Sequence, residues 1–154
     1  MFTRAGVHSE QKTLSYERTS ILEKLKARVN EHLAILAAGC SAGIIARSAE
    51  EAEVDLIVVY STGRSRMMGL PTWRSGDSNT ETLGMASEIL NVVESTPVVG
   101  GVEANDPRSR DLGKLLDEFV AVGFSGIINP EIDTVPAPGG TAEIFKFEVS
   151  LSPK

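Results

Sequence analysis

Two arginines set two residues apart, Arg64 and Arg66, follow a short apolar run from Leu56 to Tyr60 and are bracketed by Gly63 and Gly69. A guanidinium grips a carboxylate or phosphate through two parallel hydrogen bonds, so such a pair beside flexible backbone suits a small anionic ligand. The bland alternative is two solvated arginines paired with nearby acids. Tyr60, at the end of the run, is either an acid or hydrogen-bond donor toward that ligand or a packed aromatic with a wet hydroxyl. A second turn, Gly39-Cys40-Ser41-Ala42-Gly43, also follows an apolar run. Backbone N–H groups at a helix start form an anion nest, which makes Gly39, Ser41 and Gly43 binding positions. A tight turn with Ser41 as N-cap accounts for the same residues without a ligand.

Glu103 and Asp106 come just after a third apolar run. Mg2+ needs only one or two carboxylates and keeps several waters, so these two are the metal candidates. A metal there would stabilise an enolate formed from a pyruvate-like substrate. Asp106 followed by Pro107 is also a good helix start, with Asp as N-cap and Pro at the first helical position. Cys40 beside a helix start invites a nucleophile reading. No histidine lies in a comparable loop: His8 is near the start and His32 precedes the first strand. Without a base partner Cys40 reads as a small buried hydrophobe. Asp55 precedes its strand, the end of a βα-barrel that serves stability rather than chemistry.

The elements that would position these groups repeat one pattern: apolar strand, loop bearing Gly or Asp, amphipathic helix. Ser15 to Glu31 reads as a helix with Ile21, Leu22, Leu25 and Val29 on one stripe, able to cap the bottom of a barrel. Strands are expected at 33–38, 56–60, 97–102 and 124–128, with a brief helix through Ile44, Ile45 and Ala49 after the first. Ser61 to Asn79 reads as a long loop, with Trp73 as a lid residue and Met67 and Met68 packing beneath it. Ser78 with Glu81 three residues on forms a capping box for a helix that buries Leu83, Ala86, Ile89, Leu90 and Val93. Another helix runs from Asp106 to Gly123 through Leu112, Leu115, Leu116 and Phe119. Strands apolar on both faces signal a parallel sheet covered by helices. Ile132 to Gly140 reads as a loop, and Glu143 to Leu151 alternates as a half-exposed edge strand.

The fold class is thus α/β, a parallel TIM-barrel-like array of about four βα units with an N-terminal helix. Residues 1–13 read as a flexible leader, 14–131 as a partial barrel domain and 132–154 as a divergent tail. The 154 residues and 42% hydrophobic content suffice for one domain with a core. A net charge of −6 argues against a nucleic-acid partner. A lone cysteine allows no internal disulfide, no apolar run nears the roughly 20 residues of a membrane span, and the start lacks a signal peptide's apolar stretch. The expectation is a cytoplasmic protein with no membrane association.

From about Tyr16 to Asn129 the chain resembles the phosphoenolpyruvate-hydrolase-like TIM-barrel family, near the phosphoenolpyruvate mutase and isocitrate lyase enzymes. The family's glycine-rich first turn is similar to Gly39-Cys40-Ser41-Ala42-Gly43-Ile44-Ile45-Ala46-Arg47. Its Tyr-Asn-Ser-Gly-x-x-Arg-Met-x-Gly signature resembles Tyr60-Ser61-Thr62-Gly63-Arg64-Ser65-Arg66-Met67-Met68-Gly69, with Ser and Thr replacing Asn and Ser. Thr96-Pro97-Val98-Val99-Gly100-Gly101-Val102, Asp106-Pro107 and Gly123-Phe124-Ser125-Gly126-Ile127-Ile128-Asn129 follow in family order. After Asn129 the family continues with Phe-Pro-Thr-Val-Gly and about four more βα units, whereas here Pro130-Glu131-Ile132-Asp133 follows.

The resemblance implies an enzyme of the hydrolase or lyase type, acting on a small phosphorylated or 2-oxo acid through an enolate-type intermediate. It implies Glu103 and Tyr60 as catalytic residues and Mg2+ on Glu103 and Asp106. Gly39, Ser41, Gly43, Gly63, Arg64, Arg66, Asn79 and Asn129 become substrate-binding positions. The competing expectation is a non-catalytic ligand-sensing or oligomerising module built on a truncated barrel. A full barrel takes upward of roughly 200 residues. Half of one leaves open edges and an uncovered interior, so a homo-oligomer is expected.

Overall fold

The computed structural model describes residues 18–71, 77–104, 106, 111–137 and 140–151, and past Ile128 it is the backbone pairing that is described. The elements run α1 (Arg18–Asn30), β1 (Ala37–Cys40), α2 (Gly43–Glu51), β2 (Leu56–Val59), α3 (Ser61–Met67), α4 (Ser78–Leu90), β3 (Val98–Gly101), α5 (Leu112–Ala121), β4 (Gly126–Ala137) and β5 (Gly140–Leu151). The leader and Trp73 lie outside the described residues.

The strands form one sheet in the order β1-β2-β3-β4-β5. The first four pair in parallel, with Ala37 opposite Leu56, Ile57 opposite Val98 and Val99 opposite Gly126. Alternate residues face opposite sides, as the pleat requires. Ile57, Val59 and Val98 pack with Ala46, Met85, Ile89, Phe119 and Phe124 in the main core under α2, α4 and α5. Leu56, Val99 and Ile128 point to the other side, where Leu25 of α1 packs on them. This second face is the inner face of a barrel that is not closed, and α1 covers its lower part as expected. Val29 leaves the buried stripe: it is 55% exposed, because α1 meets the sheet through Ile21 and Leu25.

The lower end is fixed by Asp55. Its Oδ2 accepts from the Leu36 N–H at 2.9 Å and meets Arg28 at 3.2 Å, while its own N–H donates to the Leu36 carbonyl at 2.8 Å. This anchor sets β1 to begin at Ala37 rather than at Leu33. Leu33, Ile35 and Leu36 stay exposed beside it.

Four further expectations are corrected. Ser61–Met67 is a helix, not loop: Met68 N–H donates to the Arg64 carbonyl at 3.1 Å, and Gly63 is accommodated within the turn. The N-cap of α4 is Asp77, whose carboxylate accepts from Asn79 and Thr80 N–H groups, so Ser78 is the first helical residue and Glu81 is not part of a capping box. The N-cap of α5 is Asp111, accepting from Lys114 N–H at 3.1 Å, and not Asp106. Of the segment read as a loop, residues 132–137 and 140 are strand residues of antiparallel β4 and β5, with Ile132 opposite Phe145 and Ala137 opposite Gly140. The two prolines and two glycines there argued for a loop, but cross-strand pairing decides. Gly123, at φ +106°, does end α5 as read.

Candidate functional site

The carboxyl ends of β1 and β2 open onto a cavity of about 570 Å3 on the inner face of the sheet. Gly39, Ser41, Tyr60, Gly63, Arg66 and Met67 are among its lining residues. Sequence order brings them there through two strand exits and one helix: Gly39 and Ser41 at the end of β1, Tyr60 just after β2, and Gly63, Arg66 and Met67 from α3. Gly63 is required for that approach, since a Cβ would stand 3.0 Å from the Ser41 Cβ. The Ser41 hydroxyl donates to the Met67 sulfur. The N-cap of α2 is Ala42, not Ser41, and it makes no side-chain cap bond.

The two arginines part company. Residues two apart on a helix do not share a face. Arg66 therefore turns to the cavity, while Arg64 reaches Glu81 of α4 at 3.4 Å. A reading of 61–79 as loop could not separate them; helical spacing does.

Beside the cavity the Tyr60 hydroxyl donates to Glu103 Oε2 at 3.3 Å. Burial, the Glu103 charge and this hydrogen bond push the tyrosine up to about 12, with a Ser78 hydrogen bond opposing slightly. Tyr60 is therefore a neutral donor at physiological pH. The Ser78 hydroxyl also lies 3.0 Å from that of Ser61. Glu103 is itself held by its main chain: its N–H donates to Asn79 Oδ1 at 2.8 Å and its carbonyl accepts from Asn79 Nδ2 at 3.1 Å. Ser78 was read only as a cap, and no spacing rule pointed to its place at Tyr60.

Of the other expected positions, Gly43 and Asp106 are not among the described lining residues, whereas Cys40 is. The Gly43 N–H is taken by Glu88 Oε1 of α4 at 2.9 Å, and a Cβ at Gly43 would sit 3.0 Å from the Glu88 carbonyl. That glycine serves helix packing. Asn129 pairs in the β4–β5 ladder opposite Glu148, and its side chain lies outside what is described. Asp106 is buried, with its N–H 3.4 Å from the Glu103 carbonyl. Cys40 is buried in the core, and burial pushes its thiol up, as a structural cysteine requires. Among the described residues no group of three or more His, Cys, Asp or Glu gathers as a metal site. Glu103 and Asp106 bring two carboxyl groups to the exit of β3, the oxygen type that Mg2+ takes.

A parallel α/β sheet with its cavity at the strands' carboxyl ends, and a helix that covers the lower inner face, is a segment of a TIM-type barrel. The chain belongs to the phosphoenolpyruvate hydrolase-like family, whose model matches residues 20–137. It is 40% identical over 117 residues to the ToMV resistance protein Tm-1(GCR237) of Solanum lycopersicum, and 39% identical over the same length to the ToMV susceptible protein tm-1(GCR26). Each alignment covers 73% of this chain and 15% of the relative, so the chain spans a small part of those proteins. Among solved structures it resembles a phosphonopyruvate hydrolase complexed with oxalate and Mg2+ (TM-score 0.56, 20% identity, 70% of this chain and 37% of that one). It also resembles a phosphoenolpyruvate phosphomutase from Streptomyces platensis subsp. rosaceus (TM-score 0.54, 25% identity, 68% and 36%).

Proposed function

We propose that this chain forms the substrate-anion half of a barrel acting on a small 2-oxo or phosphorylated acid, as a hydrolase or lyase of the phosphoenolpyruvate type. The observation that carries the reading is Arg66 lining an inner-face cavity next to the Tyr60–Glu103 pair. The guanidinium supplies the two-pronged grip on a carboxylate or phosphate. Tyr60, kept neutral, has one O–H; swung from Glu103 to substrate, it donates to an oxygen that gains charge as an enolate forms. Gly39 leaves open space above β1: nothing lies within 4 Å of where its Cβ would be.

Glu103 and Asp106 would hold Mg2+, which supplies charge neutralisation at the enolate oxygen when bound. The phosphonopyruvate hydrolase neighbour, solved with oxalate and Mg2+, supports this choice of ion and of ligand class. Among the described residues β1 pairs on one side alone, and this with the exposed Leu33, Ile35 and Leu36 supports self-association through that edge. The lone, buried Cys40 suits a reducing, cytoplasmic setting. Neither the family match nor the structural neighbours favour a purely regulatory module.

The test is thermal unfolding with oxalate, with and without Mg2+. A rise in melting temperature with oxalate, larger when Mg2+ is present, is expected. No rise with oxalate, pyruvate or phosphoenolpyruvate at millimolar concentration would remove the reading.

A further inference from the structure

Asn79 carries a carboxamide that is 97% inaccessible in effect, with 3% of the residue exposed, and it does not line the cavity. Its oxygen and its nitrogen are instead both turned on one partner, the main chain of Glu103, accepting at 2.8 Å and donating at 3.1 Å. A reciprocal pair of this kind fixes both the distance and the rotation of the peptide it grips, because two bonds from one planar amide leave no swivel. Asn79 is itself fixed: its own N–H donates to the Asp77 carboxylate at 2.9 Å, at the capped start of α4. The neighbouring Ser78 bonds the Tyr60 hydroxyl. One turn of one helix thus holds Glu103 by its backbone and Tyr60 by its side chain.

We infer that Asn79 is a positioning residue rather than a substrate ligand, a clamp that sets the Glu103 carboxylate at hydrogen-bond distance from the Tyr60 hydroxyl. The importance of that pair rests on the function proposed above, but the clamp itself is a property of the ligand-free chain. Losing the carboxamide frees the β3 exit to rotate, so the Tyr60–Glu103 bond lengthens or breaks.

The test is a double-mutant cycle on unfolding equilibria at pH 7, combining Tyr60→Phe with Asn79→Ala. If Asn79 holds Glu103 for Tyr60, removing the tyrosine hydroxyl costs several-fold less in the unfolding constant when Asn79 is already gone. Equal costs in both backgrounds would overturn the inference and leave Asn79 as a plain loop anchor. Should Asn79→Ala fail to fold, Asn79→Asp replaces it, since it keeps the acceptor for Glu103 N–H and sets a carboxylate oxygen against the Glu103 carbonyl in place of the donor. The same additive result overturns the inference there. Because no ligand enters the cycle, a failure of oxalate to bind the unmutated chain defeats the functional reading without touching this one.

Discussion

The ring of Tyr60 lies against Gly101, so closely that a Cβ at Gly101 would overlap the Cδ2 of the ring and stand 2.7 Å from its Cγ. The glycine of β3 is thus the space in which Tyr60, the residue after β2, rests, and through it the Tyr60–Glu103 hydrogen bond becomes possible. The adjacent Gly100 makes the same concession on the opposite face, where its Cβ would stand 2.7 Å from Phe124 and 2.8 Å from Phe119.

Gly101→Ala should therefore destabilise the fold by about 1–3 kcal/mol, the usual cost of forcing atoms into a packed site. Gly84→Ala is the contrast. Gly84 lies inside α4 with nothing within 4 Å of its missing Cβ, and alanine should stabilise by about 0.5–1 kcal/mol. Urea unfolding midpoints moving in opposite directions for the two variants are expected; a neutral Gly101→Ala would contradict the packing described.

Acid should loosen the joint between α2 and β3. Glu50 accepts from the N–H groups of Glu94, Ser95 and Thr96 and from the Ser95 hydroxyl. Burial raises its carboxyl, but these bonds outweigh that and leave it below the ordinary 4.5. A carboxyl lowered on folding adds stability above its unfolded value, and that stability is lost as pH falls through the folded one. Stability measured from pH 6 to pH 3 should fall less steeply in Glu50→Gln than in the unmutated chain. Parallel curves would assign no role to this carboxylate.

Much of this was legible in the residues, and the failures have physical causes. Four two-face-apolar runs gave the parallel order, and Gly123 gave the end of α5, because burial and positive φ act locally. Where a cap choice was ambiguous, neighbours one or five residues away won: Asp77 over Ser78, Asp111 over Asp106. The glycines and serines of 61–69 looked like loop because propensity is a weak prior, and docking of the buried Ser61 and Ser65 on α4 overrides it. Of the expected site positions, Gly39, Ser41, Tyr60, Gly63 and Arg66 line one cavity. Gly43 and Arg64 are taken by Glu88 and Glu81, acids 45 and 17 residues further along the chain whose partnership no local pattern encodes.

The open side of β1 should make the polypeptide associate. Leu33, Ile35 and Leu36 are 47%, 41% and 54% exposed beside a strand that pairs on one side alone among the described residues. Light scattering at tens of micromolar should report a dimer or larger, and Leu33→Lys with Ile35→Lys should shift it toward monomer. A monomeric unmutated chain would contradict this.

The most direct test of the account is calorimetric binding of oxalate, in the presence of Mg2+, to the unmutated chain and to Arg66→Ala and Arg64→Ala. Loss of one charge-assisted grip on an anion costs about 1.5–3 kcal/mol, or roughly ten- to a hundredfold in affinity. The account predicts that loss for Arg66→Ala, whose side chain lines the cavity, and near-unchanged affinity for Arg64→Ala, whose partner is Glu81. Equal weakening by both substitutions, or by neither, would contradict it.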